Sequence, residues 1–133
     1  MILLYVADRH QALEQVERLV AEYAFGRPVI HCRSLSALEM RLRRPHHLIE
    51  LVLICVGDSM EMVRLTEMRP LLLDSRLVMV LPSHDVDMVA WAHKLGPRFI
   101  GYADSGCQAA GAVLDKMLNP GDGGCRVIPL KPM

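Results

Sequence analysis

The fold is indicated most clearly by LVLICV at residues 51–56, an uninterrupted apolar run. A strand that is covered by helices on both faces has no solvent side on which polar residues could alternate. Such runs are therefore typical of parallel sheets. A similar run occupies residues 1–6, and both are far shorter than the ~20 residues that span a bilayer. The two runs predict central strands of a parallel sheet.

Working outward from residues 51–56, short apolar runs alternate with helical patterns five times. Strands are predicted at 1–6, 29–32, 51–56, 77–81 and 98–102, and helices at about 9–23, 35–44, 60–68, 84–95 and 107–118. Crossovers between parallel strands are nearly always right-handed, which leaves few topologies. We therefore predict an α/β, flavodoxin-like (βα)5 three-layer sandwich, with a parallel five-stranded sheet of order 2-1-3-4-5.

The 133 residues fit one domain of ordinary size. Residues 1–118 carry the repeating pattern and are predicted to form that domain. Residues 119–133, which begin with Asn119-Pro120, no longer fit the repeat. We expect them to form a tail that is either mobile or docked as an extra strand.

Charge and cysteine content exclude several classes of function. Fifteen basic and fifteen acidic residues give a net charge of zero, so neither a nucleic-acid partner nor a membrane partner is expected. The chain starts directly on a strand pattern, and a cytoplasmic location with reduced cysteines is expected. There is no G-x-x-x-x-G-K-[ST] loop for nucleotide phosphates, so no cofactor is expected. The pairs His31-Cys32 and His46-His47 are not accompanied by a second group of metal-ligating residues at helical spacing, so no metal is expected either.

Four features of the chain point to one family. They are VAD at residues 6–8, SAL at 36–38, the apolar run at 51–56 and LGPRF at 95–99. In kind and position they resemble features of the receiver domain of two-component response regulators. The resemblance covers about residues 1–118 and implies a flavodoxin-like fold and a role in signal transduction.

The receiver resemblance also implies where a phosphorylation site would lie. Receivers bind magnesium through an acidic pair after the first strand, and an aspartate at the end of the third strand accepts the phosphoryl group. Here Ala7 replaces the first acid, Asp8 matches the second, and Cys55 falls on the acceptor position. Asp58 is a possible displaced acceptor, but it also suits the cap of the next helix.

The two remaining receiver positions are altered as well. Pro82 falls where receivers carry a hydroxyl residue after the fourth strand, and Ser83 follows one position later. Gly101 or Tyr102 stands where the lysine after the fifth strand would be. These changes predict a degenerate pseudo-receiver that is not an enzyme and that acts independently of phosphorylation, through protein contacts.

Two alternative functions stay open on the sequence alone. Cys55 would be a redox sensor if its surroundings lowered the pKa of the thiol, although a buried cysteine more often packs as a small hydrophobe. The strand ends could also bind a small molecule, because ligands of doubly wound sheets bind at that edge.

The expected contact surface comprises the fourth predicted helix, the fifth strand and the last helix, through which receivers commonly dimerise or meet targets. Met88, Ala92 and Leu95 share one helical stripe, which turns Trp91 partly outward. We expect Met88, Trp91 and Tyr102 at this interface, a homodimer, and a signalling protein as the partner.

Overall fold

A computed structural model describes the chain in six stretches, residues 1–7, 13–23, 26–43, 49–73, 75–103 and 108–118. The strands are β1 Ile2–Tyr5, β2 Val29–Cys32, β3 Leu51–Cys55, β4 Leu77–Leu81 and β5 Phe99–Tyr102. The helices are α1 Leu13–Tyr23, α2 Leu35–Arg43, α3 Ser59–Glu67, α4 Arg69–Leu72, α5 Val86–His93 and α6 Gln108–Leu118. None of these helices has the length and apolar character that crossing a membrane requires.

The five strands form one sheet of order β2-β1-β3-β4-β5, and every neighbouring pair is parallel. The predicted α/β flavodoxin-like fold and strand order are therefore confirmed. Because all strands point the same way, their carboxyl ends meet at a single edge of the sheet. Asp8 and residues 119–133 lie outside the described residues, as do the beginnings of the first and last predicted helices.

Two apolar cores lie on opposite faces of the sheet. Alternate residues of β3 supply them, with Ile54 on the face covered by α2, α3, α4 and α5, and Cys55 on the face covered by α1 and α6. Every residue of β1, β3 and β4 is buried, whereas the edge strands β2 and β5 are partly exposed. The continuous apolar run at 51–56 thus marks a strand that has no solvent face.

The helical segment after β3 differs from the prediction. The helix predicted over about residues 60–68 does end before Pro70, since α3 stops at Glu67, but an unpredicted single turn, α4, follows directly with Pro70 in its first turn. The missing N–H of proline costs nothing there, because first-turn amides have no partner within the helix. Leu72 of this turn is fully buried in the core below α3.

Two arginines hold the carboxyl end of α6 at the opposite, amino-terminal edge of the sheet. Arg27 donates to the carbonyl of Leu118 and, at 2.6 Å, to the carboxylate of Glu50. Arg76 donates to the carbonyl of Met117 at 2.7 Å. Both cations meet the negative end of the helix dipole. Residue 118 is therefore tied to the amino-terminal edge of the sheet.

Candidate functional site

The predicted site residues come together at the carboxyl edge of the sheet, apart from Asp8, which lies outside the described residues. Ala7 follows β1 and is half-buried, and Cys55 is the last residue of β3. After β4, Pro82 is half-buried and Ser83 is exposed. Tyr102 is the last residue of β5 and pairs with Leu81 of β4. The parallel topology thus places these predicted residues at one edge.

Cys55 is not open to solvent at this edge. Its side chain is 0% exposed and lies in the apolar cluster beneath α1 and α6, with Val6 and Val80 in the same cluster. Its neighbour in the sheet is Val80 of β4. The expected enclosure by apolar side chains is confirmed. Thiol chemistry requires an accessible thiolate, and this burial favours the structural interpretation over the redox interpretation.

Asp58 acts as the cap of α3. Its backbone is extended, with φ −158° and ψ 178°, and its carboxylate accepts a hydrogen bond from the amide of Glu61 at 2.9 Å. In return, the carboxylate of Glu61 accepts from the amide of Gly57 at 2.8 Å. This is close to the reciprocal capping box, shifted by one residue. The capping interpretation of Asp58 is therefore confirmed.

A buried tyrosine completes this network, and the sequence analysis missed it. Tyr5 at the end of β1 is only 2% exposed, and its hydroxyl hydrogen-bonds to the carboxylate of Glu61. Burial raises the pKa of Tyr5 well above its usual value, and the negative charge of Glu61 raises it further. The signal that could have revealed the network was Asp58-x-x-Glu61, whose spacing directs the glutamate back toward the strand ends.

Removing the Tyr5 hydroxyl should therefore destabilise the fold. We expect Tyr5→Phe to lower the free energy of unfolding by about 1 to 2 kcal/mol, because a buried hydrogen bond to a carboxylate is lost. The folded pKa of Tyr5 lies above the unfolded value of about 10, so this residue's contribution is complete below that pH and declines as pH rises beyond it. Urea unfolding across the alkaline range measures both effects. A variant as stable as the wild type would contradict the assignment.

The ends of β4 and β5 are joined by an aromatic stack. The rings of His84 and Tyr102 lie with their centroids 3.6 Å apart and their planes at 21°. Tyr102 was expected beside Trp91, but its described ring partner is His84, and Trp91 instead lines a groove toward α3. Tyr102 and Trp91 therefore belong to two separate features, the aromatic stack at the edge of the sheet and the groove between α3 and α5.

The groove lies between α3 and α5 and has a volume of about 290 Å³. Its walls are mainly apolar and include Met62 and Val63 of α3 with Met88 and Trp91 of α5. The indole of Trp91 is 38% exposed, as its helical position predicted. The remaining lining residues stand at the amino-terminal ends of the two helices and are Ser59, Asp85 and Asp87.

The buried stripe predicted for this helix is also confirmed. Ala92 and Leu95 are fully buried, and Met88 is half-buried against the same core. Asp85 caps α5 by accepting a hydrogen bond from the amide of Met88 at 3.1 Å. At the other end of the helix, the ammonium group of Lys94 lies 5.9 Å from the centre of the Trp91 ring. Negative charge in the groove is therefore confined to the start of α5.

The described residues offer no ready metal site, since no three His, Cys, Asp or Glu side chains converge among them. Within this part of the chain, the carboxyl edge instead presents a buried thiol at Cys55, two capping carboxylates and an aromatic stack. The partly exposed apolar groove lies beside them. These groups are suited to holding the strand ends rigid and to contacting another polypeptide.

Comparison with known proteins reveals likeness in fold. No protein-family model and no curated protein matches the sequence. Among solved structures, a LuxR-family DNA-binding response regulator from Silicibacter pomeroyi superposes with a TM-score of 0.61 and 17% identity, over 97% of both chains. A CheY-like response regulator receiver domain from Methanospirillum hungatei JF-1 gives 0.56 and 14%, over 92% of this chain and 98% of that one.

A third structure, described as an adenylate cyclase from Rhodopirellula baltica, superposes with a TM-score of 0.61 and 15% identity. The match covers 91% of this chain and 90% of that one. At such identities the likeness concerns the backbone, since few side chains are shared. The chain thus has the fold of response-regulator receiver domains, over nearly its whole length.

Proposed function

We propose that this protein is a receiver-like regulatory module in signal transduction that acts through protein contacts and does not depend on phosphorylation. The receiver fold supports a signalling role. The observation that carries the proposal is the burial of Cys55, at the position where the family resemblance puts the phosphoacceptor. A fully buried thiol takes the place of an accessible carboxylate.

The chemistry of the surrounding residues supports this proposal. Magnesium prefers several oxygen ligands, and Ala7 and Cys55 offer none from their side chains. Phosphoryl transfer depends mainly on cations that neutralise the developing charge. The receiver lysine position carries Gly101 or Tyr102 instead. Asp58 accepts a hydrogen bond from the amide of Glu61 as the cap of α3, so its carboxylate already has a structural role.

The first test is direct phosphorylation. Incubation with acetyl phosphate and Mg²⁺ should leave the intact mass of the protein unchanged, because the buried thiol of Cys55 stands where the receiver resemblance puts the acceptor carboxylate. A receiver domain known to be phosphorylated under the same conditions serves as the positive control. An added phosphoryl group that disappears in Asp58→Asn or Asp8→Asn would overturn phosphorylation independence.

We propose α5, β5 and α6 as the contact surface, with Trp91, which lies on the α3 side of α5, as an anchor at its margin. Large aromatic side chains contribute strongly to binding at protein interfaces, and the indole is partly exposed beside the half-buried Met88. The proposed assemblies are a homodimer and a complex with a signalling protein. No enzymatic activity is part of this proposal.

Replacing Trp91 with alanine should weaken self-association or partner capture about tenfold or more, as loss of an interface anchor does. The fold should remain intact, because the core stripe of α5 runs through Ala92 and Leu95 instead. Sedimentation and affinity capture measure the effect, and circular dichroism checks the fold. Val86→Ala is the matched control, since Val86 is 80% exposed on the same helix. Equal behaviour of Trp91→Ala and wild type would rule out this surface.

A further inference from the structure

The outward side of α5 carries a line of exposed residues. Asp87, Ala90 and Lys94 follow one another at helical spacing, on the side away from the fully buried Ala92. Trp91 lies on the α3 flank of the same side. Lys94 comes after the last helical residue, but its dihedral angles, φ −66° and ψ −20°, keep it in the helical path. We call Asp87, Ala90, Trp91 and Lys94 the α5 face.

The two charged groups of the α5 face have no opposite charge beside them. Within the part of the chain that the structure describes, neither Asp87 nor Lys94 pairs with an oppositely charged side chain. The ammonium group of Lys94 lies 5.9 Å from the centre of the Trp91 ring instead. The acid stands in the first turn of the helix and the base at its end. A partner that fits this face therefore presents the reverse order of charge along its length.

A second copy of the same helix presents that reverse order when it runs antiparallel. At a rise of 1.5 Å per residue, Asp87 lies about 5 Å on one side of the midpoint between residues 90 and 91, and Lys94 lies about 5 Å on the other. A two-fold axis at the level of this midpoint places each Asp87 beside Lys94 of the partner subunit. Parallel pairing places like charges together, which is unfavourable. The α5 face is thus complementary to itself in the antiparallel arrangement.

The residues at the centre of the α5 face also match in size. Ala90 lies at the crossing point, where its small side chain lets two helices approach closely. The two-fold axis keeps the α3 flanks of both helices on the same side, which brings the two Trp91 indoles together. Each indole is 38% exposed in the single chain and is covered in the pair. Aromatic residues near the centre of an interface supply much of its binding energy.

We infer that the protein forms an isologous dimer in which the α5 faces of two copies pack antiparallel, with two symmetric Asp87–Lys94 ion pairs around a Trp91 contact. The inference rests on the proposed function, because it specifies how the proposed homodimer is built. One helix face on each copy makes a small interface, and small interfaces belong to weak, transient complexes. We expect a dissociation constant on the order of 10 μM.

Charge reversal and recombination of the variants test the pairing. Asp87→Lys and Lys94→Glu each turn both ion pairs into like-charge contacts, so each variant alone should dimerise about tenfold more weakly than wild type. An equal mixture should form a heterodimer of wild-type strength, because the introduced lysine then faces the introduced glutamate and the two native groups face each other. The double variant should also dimerise as wild type does. Sedimentation equilibrium over a concentration series measures the dissociation constants.

Glu14→Lys is the matched control for Asp87→Lys. Glu14 is also exposed and also stands in the first turn of its helix, α1, so the changes in net charge and in the helix-dipole interaction are alike. Because α1 covers the opposite face of the sheet, this variant should dimerise as wild type does. Immobilised Lys94→Glu protein should capture Asp87→Lys protein more strongly than Glu14→Lys protein.

Two further measurements do not depend on charge. Ala90→Gln should weaken dimerisation several-fold, because the longer side chain separates the helices at their crossing point. Trp91 is the single tryptophan, and its emission should shift to the blue as the wild-type concentration rises, because pairing removes the indole from water. Circular dichroism checks that each variant is folded.

Several results would overturn the inference. One is a wild-type protein that stays monomeric, with constant tryptophan emission, throughout the concentration series. Another is a dimer that neither Asp87→Lys nor Lys94→Glu weakens, and a third is a pair of folded variants that do not recombine when mixed. A loss caused by the helix dipole alone would appear in each variant and would persist in the mixture.

The pairing and the proposed function can fail separately. A dimer that is insensitive to charge reversal on α5 overturns this arrangement, and leaves phosphorylation independence and partner capture as they stand. A phosphoryl adduct formed with acetyl phosphate overturns phosphorylation independence, whether or not the α5 faces pair. If both hold, a partner that binds Trp91 competes with the second copy, and Ala90→Gln should leave more Trp91 open to that partner.

Discussion

Cys55→Asp, which introduces the carboxylate that the receiver resemblance implies for this position, is expected to lower the free energy of unfolding by about 3 kcal/mol or more at neutral pH. The side chain at this position is 0% exposed and lies in an apolar cluster with Val6 and Val80. A carboxylate there loses its hydration, and ionised groups are costly to bury without a partner. Urea unfolding followed by circular dichroism measures the loss.

The loss should depend on pH in a defined direction. Burial raises the folded pKa of the introduced aspartate above its unfolded value of about 3.9, so its destabilisation is small below that pH and increases as pH rises. Cys55→Asn, with nearly the same shape and no charge, should show no such dependence. Stability of Cys55→Asp equal to that of Cys55→Asn at neutral pH would mean that the strand end is open to water.

Gly111→Val is expected to destabilise the protein by about 2 to 3 kcal/mol through overpacking between α1 and α6. A Cβ at Gly111 would lie 2.9 Å from Leu19 Cδ2 and 2.9 Å from Tyr23 Cε2. The Leu19 methyl is the end of a flexible side chain, whereas the Tyr23 ring can move only as a unit. The two additional methyl groups of valine increase the conflict. Thermal unfolding of the purified variant measures it.

The matched control lies one residue along the same helix. Ala112 is exposed on α6, so Ala112→Val changes helix propensity by less than about 1 kcal/mol and introduces no contact with α1. Gly111→Ala should fall between the two, because the gain in helix propensity offsets part of the clash. If Gly111→Val and Ala112→Val had the same melting temperature, α1 and α6 would not approach each other closely at Gly111.

Much of the fold could be predicted because its signals are local. The apolar run at 51–56 marks a strand buried on both faces, and the alternation of strands and helices restricts the sheet order. Asp58 could be assigned as a cap from its position before a helical pattern. The role of Pro70 could not, because a proline ends one helix or begins the next according to the path that the chain takes to bury Leu72.

The site was less predictable because its contacts join distant segments. Position along a strand placed Cys55 at the sheet edge, but only packing beneath α1 and α6 shows that the thiol is enclosed. Tyr5 looked like one more member of an apolar strand. Its bond to Glu61 exists because β1 and β3 are adjacent in the sheet, and this adjacency brings the hydroxyl to the start of α3.

Local pattern is therefore enough for the strands, most of the helices, the cap at Asp58 and the outward turn of Trp91, because each depends on spacing within one segment. The tertiary structure alone decides which faces meet. It separates Tyr102, stacked on His84, from the groove that Trp91 shares with α3, and it leaves Gly111 no room for a side chain. These outcomes depend on distances between elements, which the order of residues within an element does not contain.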